Sequence, residues 1–127
     1  MPACLPLAVG ALFVLAACTS GTGAGGAQGA SVTPAPGGTV ELVGKINNTF
    51  DITHVAATAG QLTIDFSVPG GTPHNFQVEG IVGTKIGLLS GGEKKAVTFA
   101  VTPGTYTYVC TIHTGMEGTL TVSPASP

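Results

Sequence analysis

The stretch "LTIDFSV", residues 62–68, alternates apolar and polar side chains without interruption. A period of two places every second side chain on one face of a β-strand, so the stretch predicts a strand with one buried face. The same alternation recurs in "AVTFAV" at 96–101 and "TYTYVC" at 105–110, and Pro103-Gly104 between them is typical of a turn. These two segments predict a β-hairpin whose second strand ends at Cys110.

The remaining strands are predicted by apolar residues two positions apart: Val40 and Leu42, Phe50 and Ile52, His74 with Phe76 and Val78, and Leu120 and Val122. No segment shows a helical period of any length. About seven to eight short strands therefore predict an all-β fold, a Greek-key sandwich or small barrel.

Composition agrees with this fold and narrows the function. The 127 residues suit one domain, and a charged fraction of 8% with 20 glycines and 9 prolines is typical of short strands joined by turns. All 4 basic residues are lysines, and they form no stripe along one element. Because nucleic-acid binding needs a concentrated positive surface, we exclude a nucleic-acid partner.

The N-terminus predicts export. The apolar run 5–17 is too short to span a bilayer but has the length of a secretory signal core, so residues 1–17 are interpreted as a signal peptide. The run ends in "LAAC", which resembles a bacterial lipobox, so Cys18 is expected to be lipidated and to anchor the mature chain to the outer face of a membrane. The alternative is an ordinary signal peptide that is removed together with this cysteine. Either way the protein is expected in the periplasm or otherwise outside the cytoplasmic membrane.

Residues 18–38 are nearly all Gly, Ala, Ser, Thr and Pro, and they predict a flexible linker before a domain at 39–124. Cys4 lies in the signal peptide, and Cys18 is removed or blocked, so Cys110 is the single thiol of the domain. A lone cysteine in an oxidising compartment cannot form an internal disulfide. Cys110 is therefore buried in the core or bound to a ligand.

The segment "CTIHTGM", residues 110–116, places a thiol, an imidazole and a thioether close together. Strand parity puts Cys110 at the inward-facing end of its strand, with His113 and Met116 on the turn that follows. His74 begins another strand on its apolar side, so four donor atoms can converge if that strand starts at the same end. Thiolate and imidazole suit several transition metals, but a thioether is a soft ligand that favours copper.

Three other interpretations fit part of this pattern. A nucleophilic enzyme would use Cys110 as thiolate with His113 or His74 as base, but it gives Met116 no role. Zinc accepts cysteine and histidine but rarely methionine. A protein that stores or delivers copper would use similar soft ligands and remains the main alternative. A dinuclear copper centre is disfavoured because only one cysteine remains to bridge.

"PHNF" and, beginning 34 residues after its histidine, "YVCTIHTGMEGTLTV" resemble the cupredoxins, small blue-copper electron carriers, and the likeness covers about 39–123. The resemblance implies one mononuclear type 1 copper with His74, Cys110 and His113 as equatorial ligands and Met116 as the axial ligand. It also implies that Asn75 secures the cysteine loop by hydrogen bonds, with Thr111 as its partner. The loop from cysteine to methionine has the length found in amicyanin.

The function that follows is single-electron transfer between larger redox proteins, with no enzymatic reaction and no stable oligomer. We expect partners to dock briefly near His113, whose ring edge would pass electrons, within an apolar rim formed by Pro73, Leu88, Leu89, Ile112 and Gly115. In the apolar segment 80–92, Ile81, Val82 and Ile86 are predicted to pack in the core. His54 lies in no such motif and is interpreted as a structural or surface histidine.

Overall fold

The structure, a computed structural model, describes residues 29–126, which form nine β-strands and no helix. Their bounds are β1 Ala30–Val32, β2 Thr39–Val43, β3 Ile52–Thr58, β4 Gly60–Val68, β5 His74–Val78, β6 Ile86–Leu89, β7 Glu93–Val101, β8 Gly104–Val109 and β9 Glu117–Ser123. The predicted signal peptide 1–17, the predicted lipidation site Cys18 and the first part of the predicted linker lie outside the described residues. Within 29–126, no segment forms a helix able to cross a membrane.

Two sheets enclose the core. The larger has six strands in the order β1-β3-β9-β8-β5-β6, and the smaller has three in the order β2-β4-β7. Parallel pairs join β1 to β3, β3 to β9 and β2 to β4, and the remaining neighbours are antiparallel. The predicted all-β sandwich is confirmed, and two strands that the alternation did not reveal, β1 and β6, bring the count to nine.

The core follows the period of two. In β4 the four apolar residues of the opening stretch are all buried: Leu62, Ile64, Phe66 and Val68. Four aromatic rings contact one another with centroids 5.3 to 6.4 Å apart: Phe50, Phe66, Phe76 and Tyr108. Large rings packed in this way give a rigid layer at the centre of the sandwich.

The predicted hairpin is wrong in its pairing. Strand β7 pairs with β4 in the small sheet, whereas β8 pairs with β9 and β5 in the large sheet. The chain crosses from one sheet to the other at Pro103-Gly104, where Gly104 has a φ of 152°. Alternation identifies the buried face of a strand but not its partner, because two strands can bury their apolar faces in one core from opposite sheets.

Strand β1 lies inside the segment 18–38 that composition predicts to be a linker. It pairs in parallel with β3, with Ala30 opposite Ile52 and Val32 opposite Val55. Residues 30–32 therefore belong to the folded domain, ahead of the predicted boundary at 39. Composition does not reveal this strand because its backbone hydrogen bonds, rather than large apolar side chains, attach it to the sheet edge.

His54 illustrates a local departure from strict alternation. Ala30 pairs with Ile52 but Ser31 pairs with His54, so β3 carries one extra residue at this point. Such a bulge reverses the face of the residues that follow. His54 is therefore exposed although its parity matches that of buried Ile52, and Val55 points inward instead.

The apolar segment 80–92 packs only in part as predicted. Ile86 is fully buried and Ile81 packs against the core, but Val82 is 98% exposed, so its predicted burial is wrong. The buried Thr84 hydroxyl accepts a hydrogen bond from the backbone N–H of Val78 at 2.9 Å. This contact closes the loop and leaves Val82 at its tip, pointing to solvent.

Candidate metal centre

Four side chains that can ligate a metal lie at one end of the sandwich, which we call the metal end. His74 is the first residue of β5, and Cys110 directly follows β8. Because β5 runs antiparallel to β8, with Gln77 opposite Val109, the start of β5 lies beside the end of β8. The connection from β8 to its antiparallel neighbour β9 carries His113 and Met116 and closes at the same end.

Three ligand atoms face one another across a short distance. The Nδ1 atoms of His74 and His113 are 3.1 Å apart. The Sγ atom of Cys110 lies 3.5 Å from Nδ1 of His113 and 4.0 Å from Nδ1 of His74. For bonds of about 2.0 Å to nitrogen and about 2.3 Å to sulfur, the lengths found with Zn²⁺, ligands in a trigonal plane are separated by about 3.5 to 3.7 Å. The measured separations bracket these values, so the three atoms suit a single metal ion.

His74 is fully buried and oriented by the backbone. Its Nε2–H donates to the carbonyl oxygen of Lys45 at 2.7 Å. A carbonyl can only accept, so the ring proton is on Nε2, and the lone pair of Nδ1 is left free on the side of the ring that faces His113 and Cys110. Burial lowers the pKa of His74, the nearby His113 ring lowers it further, and the Lys45 carbonyl acts in the opposite direction. The neutral imidazole, the form that binds metals, is therefore favoured.

A tight loop holds the Lys45 carbonyl in place. The backbone N–H of Lys45 donates to the carbonyl of Thr49 at 2.9 Å, and the N–H of Asn48 donates to the Lys45 carbonyl at 3.1 Å. Asn48 has a φ of 60°, the left-handed conformation that asparagine tolerates in turns. The Lys45 oxygen thus accepts from both the loop and the histidine, which uses both of its lone pairs.

Gly44 packs closely against the His74 ring. A Cβ atom at this position would lie 2.8 Å from Cδ2 of His74 and 3.0 Å from Cζ of Phe66. The Gly44 N–H donates to the carbonyl of Ser67 at 2.9 Å, which anchors the start of the loop to β4. The absence of a side chain therefore lets the backbone approach the imidazole closely.

The loop 110–116 is closed by its own backbone. The N–H of Cys110 donates to the carbonyl of Met116 at 3.0 Å, and the N–H of Met116 donates to the carbonyl of His113 at 3.2 Å. The side chains of Cys110 and Met116 are both buried in the core. The loop thereby holds thiol and thioether on the protected side and places His113 between them and solvent, where it is half-buried.

Asn75 contacts the cysteine loop from β5. Its Nδ2 donates to Oγ1 of Thr111 at 2.6 Å, and the backbone N–H of Thr111 donates to its Oδ1 at 2.7 Å. The backbone N–H of Asn75 also lies 3.5 Å from Sγ of Cys110 and is directed at it. The structure thus brings the predicted pair Asn75 and Thr111 together, and it adds an N–H that would stabilise a thiolate.

The donor set fits one type 1 copper ion. Two imidazole nitrogens and a thiolate suit zinc and copper alike, but a buried methionine beside them favours the softer metal. A nucleophilic enzyme could use His113 as base for Cys110, but this would leave unexplained why Nδ1 of the buried His74 also lies within 4.0 Å of the same thiol. The burial of Cys110, which is only 3% exposed, also gives a substrate little access to its sulfur.

Exposed apolar side chains lie at or beside the metal end. Ile46 and Ile112 lie in loops at this end, and Leu88 lies on the neighbouring strand β6. We call these three residues the apolar patch. Ile46 is 70% exposed, Leu88 is 58% exposed and Ile112 is 49% exposed. Leu89 was expected in the same rim, but it is buried, because β6 turns it inward opposite His74. Pro73 is half-buried and Gly115 is exposed.

Sequence reasoning missed Gly44, Lys45 and Ile46. Lys45 acts through its carbonyl, and Gly44 acts through the lack of a side chain, so neither leaves a signature in residue type. Ile46 lies against Gly70 in the connection that leads to His74. A lone apolar residue in the polar stretch "GKINNT" was the available signal for an exposed contact.

Comparisons with known proteins identify the family of this chain. A family model described as a cupredoxin-like domain matches residues 7–122. The comparison with curated proteins gave no match.

Solved structures with this fold include two auracyanins and an amicyanin. Auracyanin from Roseiflexus castenholzii is 21% identical, with a TM-score of 0.59, covering 71% of this chain and 100% of that one. Auracyanin A, a blue copper protein from Chloroflexus aurantiacus, is 24% identical, with a TM-score of 0.57 over 74% of this chain and 100% of its own. A reduced amicyanin variant is 22% identical, with a TM-score of 0.55 over 70% and 85% of the two chains. At these identities the likeness establishes the shared fold.

Proposed function

Because the chain belongs to the cupredoxin-like domain family, we propose that it binds one type 1 copper ion and carries single electrons between redox proteins. His74, Cys110 and His113 would hold the ion in a plane, and Met116 would be the axial ligand. The copper supplies a Cu(II)/Cu(I) couple, which exchanges one electron without transforming a substrate. We therefore do not propose an enzymatic activity.

The observation that carries this proposal is the asymmetry of the two histidines. His74 is fully buried and fixed by the Lys45 carbonyl, while His113 is half-buried in a loop at the surface. A rigid, dry set of ligands moves little when the charge of a metal changes. One histidine thus restrains the site, and the ring edge of the other gives an electron a short route to a docked protein.

The apolar patch supports brief docking around His113. Exposed apolar side chains near a redox centre can be covered by a partner without the directional contacts that slow release. A small interface of this kind is typical of electron-transfer encounters. We propose that the protein works as a monomer and meets donor and acceptor in turn at this surface.

We further propose that the protein is exported and held to a membrane through lipidated Cys18. The support is the sequence itself, an apolar run of signal-peptide length that ends in "LAAC". Mass spectrometry of the mature N-terminus tests this directly. An acylated Cys18 at the first position would support the anchor, and an unmodified terminus downstream of it would contradict it.

The absorption spectrum of the purified protein with Cu(II) tests the copper function. We expect an intense blue thiolate-to-copper band that disappears on reduction, returns on reoxidation, and is absent in Cys110→Ser. His54→Gln is the matched control, since His54 is exposed and lies outside the cluster, and this variant should keep the band. A colourless protein that binds only Cu(I) would instead indicate copper storage or delivery, and metal-independent thiol turnover would indicate an enzyme.

A further inference from the structure

The chain enters the described domain at the metal end. The N–H of Ala30 donates to the carbonyl of Asp51 at 2.8 Å, and Ala30 lies opposite Ile52 at the start of β3. Strand β3 begins directly after the loop that carries Lys45 and runs away from the metal end. Because β1 is parallel to β3, its first residue lies at the metal end and its last residue points toward the opposite end.

The strand order places this entry point close to the ligand loop. Strand β3 lies between β1 and β9, and β9 begins at Glu117, one residue after Met116. Neighbouring strands are about 4.8 Å apart, so Ala30 lies about 10 Å to the side of the start of β9. A single cleft of about 250 Å³ agrees with this placement, because Gly29, Lys45, Gly115 and Glu117 all line it.

Without β1 the chain would enter at the opposite end. Strand β2 begins at Thr39 and runs toward Gly44 and Lys45, so Thr39 lies at the far end of the sandwich. The nine residues of β4, which pairs with β2, give the sandwich a length of about 30 Å. Strand β1 and residues 33–38 therefore return the entry point to the metal end over almost the whole length of the domain.

Even at full extension, the segment between Cys18 and Gly29 reaches only slightly beyond this length. Eleven peptide units separate Cys18 from Gly29, and fully extended they span at most about 38 Å. To turn the metal end away from a membrane that holds Cys18, the segment would have to pass along a domain of about 30 Å, close to full extension. Loss of chain entropy opposes such extension.

We propose that the anchored protein presents its metal end to the membrane that holds it, so that its redox partner is a protein embedded in that same membrane. This inference rests on the proposed copper function and on the lipidation of Cys18. The anchor then selects the partner by geometry, because the ligand His113 faces the bilayer surface rather than the open compartment.

The entry point leaves the proposed docking surface free. Strand β1 is one edge of the six-stranded sheet and β6, which carries Leu88, is the opposite edge. Gly29, where the described chain begins, is therefore next to the β1 edge, on the side away from Leu88. A membrane-embedded partner can thus reach His113 from the β6 side while the anchor holds the β1 side.

Energy transfer from the bilayer to the oxidised copper site tests the orientation. The full chain is purified with its lipid and added to phosphatidylcholine vesicles that contain a headgroup dye whose emission overlaps the blue band. Dye quenching is measured with Cu(II), and again after reduction to colourless Cu(I), which supplies the background. Quenching by the unchanged protein is compared with that of a variant lacking residues 30–38, in which the anchor joins Thr39 at the far end.

We expect quenching by the deletion variant to be at least about threefold weaker, because the copper moves away by up to the domain length of about 30 Å. A second variant keeps every native residue and carries an insertion of about 20 Gly/Ser residues directly before Gly29. It should give intermediate quenching, and it keeps the test decisive if the deletion impairs folding. The blue band measured before vesicles are added verifies each variant.

Equal quenching by all the blue proteins would overturn the orientation alone. Absence of the blue band would overturn the copper function, and with it this inference. An unlipidated protein that fails to bind vesicles would overturn the inference while leaving the copper function intact.

Discussion

Gly44→Ala is the sharpest test of how the His74 ligand is positioned. Gly44 is outside the left-handed region, so alanine fits its backbone and only the added methyl group matters. That methyl would lie 2.8 Å from Cδ2 of His74 and 3.0 Å from Cζ of Phe66. Carbon atoms ordinarily pack at about 3.5 to 4.0 Å, so a neighbour must move by about 0.7 Å or more. Both neighbours are fully buried, which leaves the histidine, the phenylalanine or the Lys45 loop to yield.

The expected cost has two parts. Overpacking of this kind destabilises a protein by about 1 to 3 kcal/mol. Displacement of the ring or the loop also strains the hydrogen bond from Nε2 to the Lys45 carbonyl, and such outer contacts of a ligand are worth about 10- to 100-fold in metal affinity. We expect a loss of Cu(II) affinity in this range and an altered blue absorption spectrum.

Competition with a chelator, followed at the blue band, measures the affinity, and denaturant unfolding of the apoprotein measures the stability. Gly71→Ala is the matched control, because a Cβ there meets nothing within 4 Å and Gly71 lies in the connection that leads to His74. Both variants share the effect of alanine on the unfolded chain, about 0.4 to 1 kcal/mol. If Gly44→Ala matched Gly71→Ala in spectrum and, within about twofold, in affinity, the positioning argument would be refuted.

Three further results are expected. Asn75→Ala removes two hydrogen bonds to Thr111 and should lower the unfolding free energy by about 2 kcal/mol. Thr111→Ser keeps both hydrogen bonds and should change the unfolding free energy by less than about 1 kcal/mol. Equal losses for the two variants in denaturant unfolding would contradict this expectation. Gly118→Ala places a methyl group against the buried ring of Tyr108 and should cost about 3 kcal/mol, so a thermal unfolding midpoint within a few degrees of the parent would disprove the packing. Because burial holds the pKa of His74 below its ordinary 6.5, the unfolded apoprotein binds more protons than the folded one as pH falls through 6.5. Its unfolding free energy should therefore decrease from pH 7.5 to 5.5 and level off below the folded pKa, and a flat profile would count against the buried neutral histidine.

Much of the fold could be predicted because burial in a sandwich leaves a period of two. The alternation at 62–68 predicted all four buried residues of β4 correctly. The same parity argument placed His74, at the start of β5, and Cys110, just after β8, on the inward faces of their own strands. Alternation could not show which strands pair with one another. Strands β7 and β8 show the same alternation whether they pair with each other or lie in opposite sheets. The sequence pattern therefore could not rule out the hairpin that was predicted.

In the site, too, side-chain features could be predicted from the sequence and backbone features could not. Residue type alone marks four side chains as possible metal ligands: His74, Cys110, His113 and Met116. The structure brings the first three within ligand distance of one another. The Lys45 carbonyl that orients His74 is a backbone atom, and every residue has one. The sequence therefore predicted the three donor atoms that the structure brings together, but not the backbone contacts that hold them.

The short strand β1 shows why a feature with little sequence signal can still decide how a protein is used. Its three residues bury little surface and attach to the sheet edge mainly through the backbone, so their side chains carry almost no pattern that would predict a strand. Yet their direction decides whether the chain enters beside the copper ligands or at the end opposite to them. If the chain is anchored at Cys18 as we propose, that direction would determine which surface of the domain meets the membrane, and hence whether His113 faces embedded or diffusing partners. Side-chain chemistry would then determine what the site can do, while the backbone path of β1 would determine which partners it can reach.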